Sequence, residues 1–336
     1  MALPDVFNGD LFKLQELTAA IKDITYTPSR VQEMNLFSAQ GIRTTSVVID
    51  FGVDSVNIVP AAERGATPST VVGDKYSSRP FSTVHLPQRS NVMADEVQEV
   101  RLFGTEDSTK GVEMVINQHL SKHKRNLMLT KENHMFGAIK GQILDADSSV
   151  LLDIHAEMGT TPAEFDMELD DDTVKMQNKV VELKRTIDDA LDGVPYSQIH
   201  VLCGKGFFDA FVGHAKVEES WLRFSSSSML RDDLRRGFTY GGVTFEEYRP
   251  GAGVTIRDNE AWAVPMGVSD MFIARYAPAD YVETVNTVGI EMYTKAEAMD
   301  FDKGVVLESQ ANWLHLNTRP NAVIRLGLNQ AEVDAV

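Results

Sequence analysis

Apolar and polar positions alternate most regularly between Thr45 and Pro60, where Ile49, Phe51 and Val53 share one face and Asp50, Gly52 and Asp54 the other. A period of two over β-branched residues predicts a strand with one face to bury. Residues 61–78 break the pattern with Gly65, Pro68, Gly73 and several Ser and Thr, and a second alternating run returns from Phe81 to Leu86. The segment reads as a long two-stranded ribbon with a loose tip. Such a ribbon is marginal by itself, because neither strand has a third neighbour, so some other surface must hold it.

Helical spacing governs much of the remainder. Leu11, Leu14, Leu17 and Ile21 predict a short amphipathic helix over 10–24, ahead of Pro28, and a helix that short needs a surface to lie on. Val112, Val115, Ile116, Leu120 and Leu127 predict a long helix over 111–136, ended by Gly137 and Gly141. Ile143-Leu144 and Val150 to Ile154 then predict a hairpin about Asp145 to Ser149. Met176, Val180, Leu183, Ile187 and Leu191 mark a second helix. Asp170, Asp171 and Asp172 are placed at its N-terminus, where the helix dipole favours acids, with Gly193 and Pro195 beyond its end. From Ile199 onward short strands and helices alternate, with a hairpin at Gly241-Gly242 and strands around Trp262, Met271, Gly289, Gly304 and Ala322. The second half reads as an α+β unit.

The 336 residues are 43% hydrophobic and 24% charged, ordinary for a folded globular protein able to bury a core. No apolar stretch approaches the roughly 18 residues of a membrane span, and Met1 to Asp10 is neither basic nor continuously apolar. The single cysteine, Cys203, excludes a disulfide within the chain and fits a reducing compartment. A net charge of -17 argues against a broad phosphate-binding surface. The charge is uneven: residues 141–194 hold 14 acids and 4 bases. That segment reads as a solvated acidic face, the kind of surface to which DNA does not adhere.

Fragments of catalytic motifs are present but incomplete. His155-Ala156-Glu157 gives the H-x-E of zinc deaminases without the P-C-x-x-C that supplies the other ligands. Gly204-Lys205-Gly206 completes neither phosphate-loop pattern and reads as a tight turn. Cys203 closes an apolar strand, where cysteine acts as a small hydrophobe. The basic cluster Lys122, His123, Lys124 and Arg125 reads as a solvated helix face. The sequence therefore names no catalytic, cofactor-binding or metal site.

The order of parts, and the segments Arg79 to Pro87, Val201 to Phe211, Leu234 to Tyr248 (LRRGFTYGGVTFEEY), Trp262 to Met266, Ala274 to Ala279, Ser309 to Pro320 and Ala322 to Leu326, resemble the lambda-type major capsid proteins of tailed phages, family E. The resemblance covers nearly the whole chain and implies an α+β Hong Kong 97-type shell fold. It divides the chain into an N-terminal arm (1–44), an extended β-ribbon or E-loop (45–90), a peripheral domain with spine helix and hairpin (91–194), an axial domain (195–325) and a C-terminal tail (326–336). It implies a non-enzymatic head protein that forms the hexamers and pentamers of an icosahedral virion capsid around double-stranded DNA. Assembly in the host bacterial cytoplasm is implied, with a portal and, since the arm begins near Met1, a separate scaffold protein, and with room for a decoration protein. Ile49, Phe51, Val53, Phe81 and Val84 are the expected apolar ribbon contacts between subunits, and Arg64, Arg79 and Arg89 the expected partners of acids across the interface. Lys75 is the ribbon lysine that crosslinking relatives would use. The alternatives are a tail-tube subunit and a soluble α+β enzyme built on Cys203 or on His155 and Glu157.

Overall fold

A computed structural model describes residues 14–25, 29–51, 77–98, 108–224, 233–249, 254 and 256–331. The arm consists of α1 (Leu14–Asp23), the single turn α2 (Arg30–Glu33) and β1 (Ser38–Gly41). The ribbon follows as β2 (Ser46–Phe51) and β3 (Ser77–Ser82), paired antiparallel from Ser46 with Ser82 to Phe51 with Ser77. After Thr83 the chain continues as β4 (Val84–Met93), α3 (Ala94–Gln98) and the 33-residue helix α4 (Ser108–Lys140), about 50 Å long. Then come β5 (Gln142–Leu144) and β6 (Val150–Asp153), which form the expected hairpin, followed by α5 (Ile154–Met158), β7 (Ala163–Asp166) and α6 (Met176–Leu191). The second half contains β8 (Gln198–Cys203), α7 (Lys205–Gly213), α8 (Ala215–Phe224), β9 (Phe238–Tyr240), β10 (Val243–Glu247), β11 (Glu260–Met266), β12 (Phe272–Tyr276), β13 (Tyr293–Ala298), β14 (Gly304–Asn317) and β15 (Ile324–Gly327).

Two sheets organise these elements. In the first, the long strand β14 pairs with β4 along one edge, from Trp313 with Val84 to Gly304 with Met93. Its other edge carries β13 and β12, and β1 lies parallel to β12. The amphipathic stripe of α1 and one side of α4 cover this sheet: Leu17, Val115, Ile116 and Leu120 pack with Val92, Val305 and Leu307, while Ile21 and Leu127 pack with Ala311 and Trp313. The second sheet has the order β7-β15-β11-β8-β10-β9. It carries α6 through Met176, Val180, Leu183, Ile187 and Leu191, the stripe read from the sequence. On the same sheet α7 stacks Phe211 on Phe245 with ring centroids 3.9 Å apart. One continuous apolar core joins Phe37 of the arm and Phe136 of α4 to β8, β10, β11 and β14.

Four boundaries differ from expectation. The long helix runs through Gly137 and ends at Lys140. A Cβ at 137 would lie 2.9 Å from the Gln142 carbonyl oxygen, so this glycine admits the hairpin against the helix and does not stop it. Asp170 to Asp172 lie ahead of α6, whose N-cap is Lys175; the Asp171 carboxylate instead accepts from the Thr173 amide at 2.9 Å. The strand expected from Gly289 starts at Tyr293. The stretch 195–325 is shared between the sheets, since β12, β13 and β14 belong with β1 and β4. Among the described residues no helix is long and apolar enough to cross a membrane.

Candidate assembly surface

The ribbon root is built on its own subunit. Val47 pairs with Phe81 and Ile49 with Arg79, which places these four side chains on one face of the two-stranded ladder. Phe81 is 2% exposed and belongs to the main core, and Val47 and Ile49 are half-buried against it. A cavity of about 220 Å³ beside Phe81 is lined by Val84, Ile143, Leu151, Leu152, His134 and His315. Phe81 is therefore not available to a neighbour, which corrects the interface role expected of it: a period-two pattern shows that a face is covered, not which body covers it. Val48, on the opposite face, is exposed, and among the described residues the ladder has no third strand.

The arginines also find acids inside the chain. Arg89 Nη2 lies 2.8 Å from Glu308 Oε2 across the β4–β14 ladder, and Arg79 Nη1 lies 3.9 Å from Glu157 Oε2. Both arginines and Glu157 are solvent-exposed and Glu308 is half-buried, so neither pair contributes much to stability. Val84 is half-buried opposite Trp313. Phe51 ends β2, and its side chain lies outside the described residues, as do Val53, Arg64 and Lys75.

The arm is anchored by buried charges that periodicity does not show. Lys124 Nζ donates to the carbonyls of Lys22 and Ile24 at 2.8 and 2.6 Å, capping the C-terminal end of α1. Two turns further along the long helix, Glu132 accepts the backbone N–H groups of Val31 and Gln32 at 3.0 and 3.3 Å and the Tyr248 hydroxyl at 2.8 Å. Burial pushes the Glu132 carboxyl above, and the Lys124 ammonium below, its ordinary pKa. Arg30 grips Glu246 of β10 through two bonds of 2.6 and 2.8 Å, and His200 of β8 contacts the same carboxylate at 2.8 Å. Burial raises the Glu246 pKa, but its bonds to His200 and Arg30 outweigh that and hold it low. Half of the basic cluster read as solvated is thus buried, because His123 also turns inward to Ser309 at 2.8 Å.

The sequence reading missed a further set of surface residues. Val282, Val285 and Val288 stand exposed on the β12–β13 loop, and Phe301 on the β13–β14 turn. Valines at every third position between Pro278 and Gly289 were the available signal. The acids at 170–172, 182, 188, 189 and 192 are all exposed around α6.

Residues 13–328 match the family described as Phage major capsid protein E. The chain belongs to this family. It is 23% identical over 350 residues to the major capsid protein of Salmonella phage Felix O1, covering 93% of this chain and 95% of the relative. It is 26% identical over 351 residues to the major capsid protein of Pseudomonas phage KPP10, covering 96% and 98%. Among solved structures it superposes on the protein assigned as the capsid protein of an E. coli CFT073 prophage with a TM-score of 0.54 and 10% identity, over 94% of this chain and 98% of the other. The mature capsid of bacteriophage PhiM1 gives 0.50 and 11%, over 90% and 88%. The fold is the Hong Kong 97-type capsid fold.

In this phage capsid E family member the fragments of catalytic motifs have structural roles. The Cys203 thiol is fully buried with its pKa pushed up by burial, the reverse of what a nucleophile needs. His155 is buried with Nδ1 3.0 Å from the Thr160 hydroxyl, whereas Glu157 is exposed beside Arg79. A Cβ at Gly204 would lie 2.1 Å from the Arg257 carbonyl oxygen, so the glycine-rich turn packs against backbone. Among the described residues no three His, Cys, Asp or Glu side chains are grouped to hold a metal.

Proposed function

We propose that this chain is the structural subunit of an icosahedral phage head, closing as hexamers and pentamers around double-stranded DNA, with each copy lending its ribbon beyond Phe51 and Ser77 to neighbours. The observation that carries this reading is the ribbon root: one face of β2–β3 is seated on the subunit's own core, while Val48 on the other face is exposed and the ladder has no third strand among the described residues. Many modest contacts of this kind, formed together only in a closed shell, reinforce one another. A scaffold protein and a portal serve assembly in the host cytoplasm, and the role of the chain is geometric and not catalytic. The exposed acids around α6 support a lumenal wall that repels packaged DNA over a Debye length of ~8 Å.

The test is a deletion of residues 54–74, which leaves four residues to close the hairpin between Phe51 and Ser77. The expected variant is folded and soluble but forms no shells by negative-stain microscopy. Intact shells of normal size from it would overturn the ribbon's role.

A further inference from the structure

Strand β4 is a long open edge. Its pairs with β14 run from Val84 with Trp313 to Met93 with Gly304, and their register decides which backbone groups of β4 are used. The Ala277 amide donates to the Asn312 carbonyl and the Met299 amide to the Gly304 carbonyl, both at 2.9 Å, so even-numbered residues of β14 face β12 and β13. Odd-numbered residues face β4, as the 3.0 Å bond from the Ala94 amide to the Lys303 carbonyl shows at the strand's end. Val84, Leu86, Gln88, Ser90 and Val92 therefore bond to β14, while His85, Pro87, Arg89, Asn91 and Met93 present their backbone groups to the other side. On that side the Thr83 amide still meets the Thr45 carbonyl at 2.9 Å, where the β2 ladder ends. Beyond Thr83 no strand lies along β4 among the described residues, which leaves about 30 Å of edge. An edge of that length is a template for the strand of another chain.

The residues on this edge oppose such pairing. Pro87, near its middle, has no N–H to give, and it stands on the outward register, where its own sheet loses no bond. Arg89 adds an exposed charge two residues on. The β4 strand of a second copy overlaps most when laid antiparallel about Gln88 or about Arg89, with outward residues opposite outward residues. About Gln88, each Pro87 faces an Arg89, and both prolines leave a carbonyl unpaired. About Arg89, the two guanidinium groups stand directly opposite each other, and each Pro87 again gives no bond to its partner, Asn91. We propose that Pro87 and Arg89 close the β4 edge to strands of other copies, so that subunits do not join sheet to sheet. The inference concerns the unassembled subunit and stands apart from the shell reading above.

The test uses the full-length chain at concentrations below assembly. Amide exchange followed by NMR should be fast at Arg89 and Asn91 and slow at Gln88 and Ser90. Equal protection of the two sets would mean that the edge is already covered and would overturn the proposal. Pro87→Thr restores the missing donor. With both bonds regained it should aggregate at a concentration about tenfold or more below the parent's, read by light scattering, while melting no lower than the parent. Asn91→Thr places the same side chain on the same edge without adding a donor, and should aggregate as the parent does. Parent-like behaviour of Pro87→Thr, or equal aggregation of both threonine variants, overturns the role of Pro87. Arg89→Val removes the charge, leaves every backbone group in place and should also aggregate at a lower concentration, so the proposal stays testable where Pro87→Thr melts early. An unchanged Arg89→Val overturns the role of Arg89. None of these outcomes bears on whether the parent forms shells.

Discussion

The Glu132 carboxylate, in the C-terminal third of the long helix, accepts the backbone N–H of Val31 at 3.0 Å and so caps a turn of the arm about one hundred residues away in sequence. With Lys124 capping α1 from the same helix, the C-terminal end of α1 and the N-terminal turn of α2 are both held by one rigid element. Helix ends expose unpaired amides or carbonyls, and a buried charge of the right sign satisfies them while the arm satisfies the charge in return. The arm thereby fixes where the ribbon begins, since β1, the edge strand beside β12, carries the chain from this anchor to β2.

Removing either end of that anchor leaves buried groups unpaired. Glu132→Ala strands two amides and the Tyr248 hydroxyl and should cost about 3 kcal/mol, read as a lower urea midpoint. Lys124→Met keeps the apolar stem but strips the cap from α1. It should speed hydrogen exchange of residues 14–25 while leaving the α6 amides unchanged. Equal protection of α1 in the variant and the parent would show that Lys124 does not hold the arm.

Phe81 belongs to the subunit's own core, so its truncation should act before assembly. Phe81→Ala should destabilise the isolated subunit by about 3 kcal/mol or more, with the loss visible in thermal melting at concentrations too low for shells. Val48→Ser, on the exposed face of the same ladder, should leave melting within about 0.5 kcal/mol of the parent. A Phe81→Ala subunit with unchanged melting would return Phe81 to the role of an intersubunit contact.

Local periodicity carried what depends on one face of one element. The α6 stripe from Met176 to Leu191, the β5–β6 hairpin and the first ribbon strand follow from spacing alone, whereas the returning strand lies at Ser77–Ser82, ahead of the alternating run from Phe81 to Leu86, most of which joins β4 against β14. What it could not carry was the identity of the opposing body. Phe81 read as an outward-facing contact, yet the core that receives it comes from distant parts of the same chain, and Arg79 and Arg89, which stay largely exposed, have acids of that chain beside them. Gly137 read as a stop because a glycine that ends a helix and one that admits a neighbour look alike in sequence. Lys124 read as solvated because a helical wheel records charge without recording that another helix ends against it. Phe301 lies outside any periodic run, so only its exposure reveals it, and the three-residue spacing of the β12–β13 loop valines does not say that they are uncovered.

Two buried histidines beside the ribbon root give stability a pH dependence. Burial holds His134 at about 4 despite the opposing pull of Asp145, and fully buried His315 is held well below its ordinary value by burial, His134 and Lys131. Neither ring nitrogen of His315 has a hydrogen-bond partner among the described residues. The folded chain keeps both rings neutral, while the unfolded chain takes up protons near pH 6.5. Stability is therefore full above about 6.5 and falls as pH drops toward 4, with His134 alone removing about 2 kcal/mol by pH 5. Urea midpoints at pH 7 and pH 5 should show this fall in the parent and a smaller one in His134→Leu. Parallel profiles would assign the acid sensitivity elsewhere.

At the far end of the long helix, Lys140 lies 3.1 Å from Glu260 of β11, which also accepts the Arg257 amide at 3.1 Å and lies 3.7 Å from Arg325 of β15. Arg325 in turn meets Glu164 of β7 at 2.8 Å, so the network ties the helix to three strands of the six-stranded sheet. Burial raises the Glu260 pKa, but the charge of Lys140 and the Arg257 amide outweigh it and hold the carboxyl below its ordinary range. Glu260 thus stabilises the fold above about pH 4.5, and that contribution is lost as pH falls through its lowered folded value. Glu260→Gln removes the charge between buried Arg325 and half-buried Lys140 and should cost about 3 kcal/mol at pH 7, with the deficit shrinking in acid. Adding Lys140→Met removes one of those cations and should recover part of the loss, since the two changes share one interaction. A double-mutant cycle by urea unfolding measures the coupling, and strictly additive losses would show that the helix and sheet are joined by packing alone.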